Sequence, residues 1–169
     1  MSLYTDIEAE IVARLTPFKA QGFNVLALPE VQADYEKPFL NGRITVAYHS
    51  SEFDKPQSTE QVSQWEQINF IIAVESTKLR VEGRGIYDLM ATIRRYLIGF
   101  QPSNCDRMWA KEAGLKKAEY DNNLWTYYAI YCTKTLAVED YTEEFIADGL
   151  ELVSYENSLT GNNFDTENP

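Results

Sequence analysis

Apolar side chains between Val81 and Pro102 recur at Ile86, Leu89, Met90, Ile93, Tyr96, Leu97 and Phe100, the three-and-four spacing that lines one face of an α-helix. Gly83 and Gly85 loosen its start, and Gly99 with Pro102 supplies the stop. Asp88 falls in the first turns and Arg94 and Arg95 toward the C-terminal half, where charges of those signs suit the helix dipole. A second amphipathic helix is predicted at the start of the chain. Leu3, Ile7, Ile11, Leu15 and Phe18 share a face there, Ser2 or Thr5 is the N-cap, and the end lies near Gly22.

Elsewhere the period changes from helical to alternating. Phe23 to Leu28 reads as a short apolar strand stopped by Pro29, and Pro29 to Asn41 as an irregular loop. Gly42 to Ser50 alternates, with Ile44, Val46 and Tyr48 opposed to Arg43, Thr45 and His49, the pattern of a half-buried strand. Ser51 to Gln64 reads as a polar hairpin loop. In Trp65 to Thr77, Ile68, Phe70, Ile72 and Val74 oppose a partly apolar second face, which suggests a central strand covered on both sides. Ser103 to Gly114 reads as loop, Leu115 to Tyr120 as a weak strand, Asp121 to Asn123 as a turn and Leu124 to Val138 as the longest strand. The class expected is α+β: a mostly antiparallel sheet of about five strands packed with two main helices, in the order α-β-β-β-α-β-β. Residues 1–138 form that domain, and 139–169 an acidic C-terminal extension. In the extension Thr142 caps a short helix with Phe145, Ile146, Leu150 and Val153 on one side, and the chain from Asn157 onward reads as disordered.

The 169 residues suffice for one hydrophobic core without disulfide or metal staples. A formal net charge of −11 argues against a sequence-independent grip on nucleic acid, which needs clustered cations to displace counterions from phosphates. That charge is uneven: no Lys or Arg follows Lys134, so most of the negative excess belongs to the extension and the body is nearly balanced. Cys105 and Cys132 match no metal-ligand spacing and read as reduced thiols. With no signal-like N-terminus and no apolar run of membrane-spanning length, the expectation is a protein assembled in a cytoplasm, with no membrane partner.

Catalytic patterns are scarce. His49 is the sole histidine, on the polar face of a strand, with no GxSxG or cysteine nucleophile to complete a triad. Gly83 and Gly85 form GxG before a helix, but Asp88 stands where the third glycine of a phosphate-binding loop belongs. Asp54, Glu75 and Lys78 are similar to the metal-dependent nuclease pattern, yet Glu and Lys three apart on a strand point to opposite faces, so ordinary surface charge is the stronger reading. The expectation is a non-enzyme with no catalytic, metal-binding or cofactor-binding residues. Arg80, Arg84, Arg94, Arg95 and Arg107 cluster in sequence around the central helix; they are either a solvated face or a patch that pairs with an acidic partner, another copy of the chain included.

Leu79 and Arg80, Gly85 to Leu89, Ile93 and Arg94, and Leu97 to Pro102 carry a resemblance to the phage tail terminator family of Mu-type contractile tails, similar in fold to the gene-U tail terminators of long-tailed phages. It spans roughly residues 3 to 138 and rests on packing positions, with no catalytic constellation to anchor it. The resemblance implies a structural protein of the virion tail, assembled in a bacterial host: a homohexameric ring that caps the tail tube and sheath, stops their growth and offers a joining surface to a neck or head-completion protein. Its partners would be its own copies and the tube, sheath and neck proteins, with DNA passing through unbound. Arg80, Arg84, Arg94, Arg95, Phe145, Ile146 and Leu150 are the candidate interface residues. A cap for a headless phage-derived contractile particle and a monomeric adaptor domain are the alternatives, with a nuclease third.

Overall fold

A computed structural model describes residues 2–35, 38–56, 62–77 and 85–139. Helix α1 spans Leu3–Leu15; the Ser2 hydroxyl accepts from the Thr5 backbone N–H, and Ile7, Ile11 and Leu15 are buried. The predicted helix does not run unbroken to Gly22. Pro17 lacks the N–H that an α-helical turn needs, and the chain tightens into a 3-10 helix, Thr16–Gln21, closed by Gly22 at φ 82°.

Five strands follow in one sheet: β1 (Phe23–Ala27), β2 (Gly42–Phe53), β3 (Val62–Ser76), β4 (Trp109–Glu119) and β5 (Leu124–Glu139). Their spatial order is β1-β2-β3-β5-β4, with β1 parallel to β2 and every other pair antiparallel, so the expected α+β class with a mostly antiparallel sheet is what the chain forms. The parallel pair forces a crossover, since Phe23 and Gly42 begin their strands side by side. Within that crossover, in the stretch read as loop, the short helix α2 (Gln32–Tyr35) forms.

Helix α3 is Ile86–Leu97, shorter than the pattern suggested: Gly85 is its extended N-cap, Ile98 ends it, and residues 81–84 lie outside the described ones. Ile86, Leu89, Ile93 and Leu97 are buried. Each is worth roughly 1.5–3 kcal/mol relative to exposure. They meet Phe70, Ile72, Val74, Ala129 and Tyr131 in a continuous core that also takes in the buried face of α1. Cys105 and Met108, from the connection to β4, close the core's edge; Thr133 and Thr135 hydroxyls donate to the Asp106 and Asn104 carbonyls at 2.6 and 2.9 Å and tie that connection to β5.

The two helices share one face of the sheet, because the buried positions of β2, β3 and β5 are in register: Ile44 opposes Val74, which opposes Tyr127. The expectation that β3 is covered on both sides is corrected in part. On the second face Asn69 and Ile130 are buried but Ile71 and Ala73 only half-buried, and the cover at the β1–β2 end is the crossover, through Tyr35 and Phe39.

Candidate functional site

A buried ion pair lies under that crossover. Arg43, on β2, faces Glu75, its register partner on β3. The guanidinium is 7% exposed; its Nε donates to Glu75 Oε2 at 2.8 Å, and Nη2 contacts the same oxygen. Tyr35 donates its hydroxyl to Glu75 Oε1 at 3.1 Å and lies against the guanidinium, 3.7 Å from ring centre to Cζ, with Phe39 at 5.3 Å. Burial, and then the nearby Glu75 charge, push the Tyr35 phenol up. Among the described residues no buried side-chain polar atom lacks a partner, and the cluster fastens the crossover to the sheet.

The residues of the nuclease pattern are not assembled. Asp54 sits at the far end of the β2–β3 hairpin, its N–H donating to the Trp65 carbonyl and its carboxylate 3.7 Å from Lys134. Glu75 is ten residues farther along β3 than Trp65, about 33 Å at strand rise. Lys78 lies outside the described residues. Among the described residues no group of three His, Cys, Asp or Glu side chains gathers as a metal site requires. His49 is exposed, and it is the unpaired residue where the β2–β3 register shifts between Tyr48 and Ser50. Burial raises both thiols, Cys105 and Cys132, which keeps them protonated and poor nucleophiles.

Of the candidate interface residues, Arg94 and Arg95 are exposed in the last turn of α3. Arg80 and Arg84 lie outside the described residues, as do Phe145, Ile146 and Leu150, so the structure joins only two of the seven. What residue reasoning missed is a groove beside Arg94. Tyr87, Met90, Ala91 and Arg94 form one flank of α3, and the groove runs between that flank and the floor made by Ala110 and Ala113 of β4 with Ala129 and Tyr131 of β5, enclosing about 390 Å3. Small side chains on the floor are the reason that it is open. Burial pushes the Tyr131 phenol up to about 12, so it stays neutral against the groove. Two further hollows flank β1: one of about 570 Å3 between the 3-10 helix and the start of α3, and one of about 390 Å3 beside Arg43. No helix among the described residues is long and apolar enough to cross a membrane.

No curated protein matches the chain. Among solved structures 28 chains match. One of them is a chain of the virion of a native gene transfer agent (GTA) particle: it superposes with a TM-score of 0.54 at 10% sequence identity, over 80% of this chain and 98% of that one, so the two share a fold. A family model described as Gp37 protein matches residues 11–157, a span that includes the whole sheet, α3 and the first part of the acidic extension. The chain belongs to the Gp37 family.

Proposed function

We propose that this protein is a structural component of a phage-like virion, and within it the tail terminator: a ring of six copies that caps the tail tube and sheath, ends their growth and presents a surface to the neck or head. The observation that carries this reading is the fold shared with a GTA virion chain across nearly all of that chain's length. Family membership and the resemblance borne by Gly85 to Leu89 and Leu97 to Pro102 support the same reading. The surface chemistry is also in accord. A closed ring repeats one pair of unlike patches, and a subunit that offered an open sheet edge would risk chains of subunits that never close. Here the long edge strand β4 carries two register shifts and Lys111, Lys116 and Lys117, which discourage strand-to-strand addition.

Such a subunit acts by complementary surfaces and needs no chemistry of its own. Its excess negative charge suits a ring that DNA crosses without sticking, because a basic lumen would hold the duplex by counterion release. Removing the gene from the element that encodes it tests the terminator role. The expected outcome is tails of uncontrolled length without attached heads, seen by electron microscopy. Tails of normal length on intact particles would overturn it.

A further inference from the structure

We infer that the groove between α3 and β4 receives the acidic C-terminal segment of a second copy of this chain, with Phe145, Ile146 and Leu150 as its apolar anchors. The inference rests on the ring reading only in needing neighbouring copies.

Three observations converge on it. The first is chemical fit. The groove floor is alanine, Ala110, Ala113 and Ala129, bounded by Tyr87 and Met90, and it opens to solvent beside Arg94. Arg94 and the adjacent Arg95 have no carboxylate partner among the described residues. Lys111, which also borders the groove, is already paired with Glu52. An apolar slot whose lip carries a cation with no described carboxylate against it suits a peptide that alternates apolar and acidic residues. The segment 143–151, EEFIADGLE, has that composition, and no Lys or Arg occurs after Lys134 to oppose it. Ile146 and Leu150 are spaced by four, as neighbouring anchors of an amphipathic helix laid in a groove are.

The second observation is the extent of the family match, which continues to residue 157 and so takes in all three anchors. The segment is part of the pattern that the family model describes.

The third is reach, and it decides between a chain's own groove and a neighbour's. The groove is centred near Ile130, between the register pairs Ala110 with Tyr131 and Ala113 with Ala129. From there β5 runs nine residues on to Glu139, about 30 Å away at strand rise. Between Glu139 and Phe145 there are six residue steps, at most about 22 Å when fully extended. Phe145 therefore falls short of the centre of its own groove, although Leu150, eleven steps from Glu139 and about 40 Å away when fully extended, does not, so seating all three anchors together requires the groove of a neighbouring copy.

The test uses two full-length chains of different mass, one carrying Ala113→Cys and the other Ile146→Cys. Both native cysteines are buried and do not compete. On mild oxidation the mixture is expected to give a disulfide-linked pair of the two unlike chains, and neither chain alone should give it. If the wild-type chain associates but the mixture yields no unlike pair, the groove proposal is wrong and the ring stands. If a single chain carrying both substitutions closes on itself and no unlike pair forms in the mixture, the segment folds back and exchange between copies is wrong. If the wild-type chain remains single and no unlike pair forms, the proposal is wrong, and the ring reading is judged separately by tail length. As a second readout, Arg94→Glu should weaken self-association about two- to fivefold, as loss of a partly exposed ion pair does. An Arg94→Glu protein that associates normally but loses binding to a short DNA duplex would make the groove a nucleic-acid site instead, and would overturn the proposal.

Discussion

The Arg43–Glu75 pair shows how a charged residue on a strand can be misread one position at a time. Alternation puts Arg43 on the face opposite Ile44 and Val46, and sequence alone makes that face solvent. The parallel β1–β2 pairing instead sends the crossover over this face, and Tyr35 and Phe39 cover the guanidinium. Nothing local in the sequence reports a crossover, because it is a consequence of which strands become neighbours. Glu75→Ala is expected to lower stability by about 3–5 kcal/mol, since it strands a buried cation. Chemical denaturation checks this, and an Arg43→Met, Glu75→Leu double replacement should recover most of the loss. Glu8 offers a test of the opposite sign. Burial raises its carboxyl above the ordinary range, with the Tyr48 backbone N–H offsetting part of the rise. The folded state therefore holds that proton more tightly than the unfolded chain does. Its contribution is fully present below the unfolded carboxyl pKa, about 4.3, and is lost as pH rises through the raised folded value. Glu8→Gln, which keeps an acceptor for Tyr48, is expected to melt at a higher temperature than the wild type at pH 7, with the difference closing near pH 4.

Among the elements, those with strong periodicity were legible and those with broken periodicity were not. The faces of α1, α3 and β3 follow from the apolar spacing, and all three are in the fold with the predicted sides buried. Strand β4 begins at Trp109, six residues before the weak strand expected from Leu115. After Trp109 its early half, AKEAG, is charged or small, and register shifts between Ala110 and Glu112 and between Leu115 and Lys117 scramble the alternation. The hairpin loop expected from Ser51 to Gln64 is shorter than the composition suggested, because β2 continues to Phe53 and β3 starts at Val62. Two substitutions test the packing. Ile93, wholly buried under α3, should cost about 2–5 kcal/mol as Ile93→Ala, read as a lowered denaturation midpoint. Gly42→Ala should be at least as damaging, since its Cβ would lie 2.2 Å from the Glu75 carbonyl oxygen, a backbone atom that can yield only by shifting β3. A Gly42→Ala protein with an unchanged midpoint would mean that β2 and β3 are less closely paired there than described.

For the whole molecule, sequence reasoning reached the fold class but could not assemble the groove on which the proposed docking between copies rests. Arg94 and Arg95 were visible as charges on a helix. The groove beside them was not, because it is made by alanines from β4 and β5 that meet α3 only after the sheet has formed. Exposed charge at such an interface makes association salt-sensitive: raising ionic strength from 0.1 to 1 M shortens the screening length from about 10 to about 3 Å and should weaken, by several-fold and not abolish, the association of copies that pair through Arg94 and Arg95. The central claim is that copies of this chain close into a six-membered ring on the end of a tail tube. Its most direct test is the mass of the purified protein measured alone and again with tail tubes from the same particle. The account predicts six chains bound per capped tube end; a chain that stays single and leaves the tubes bare at every concentration would contradict it.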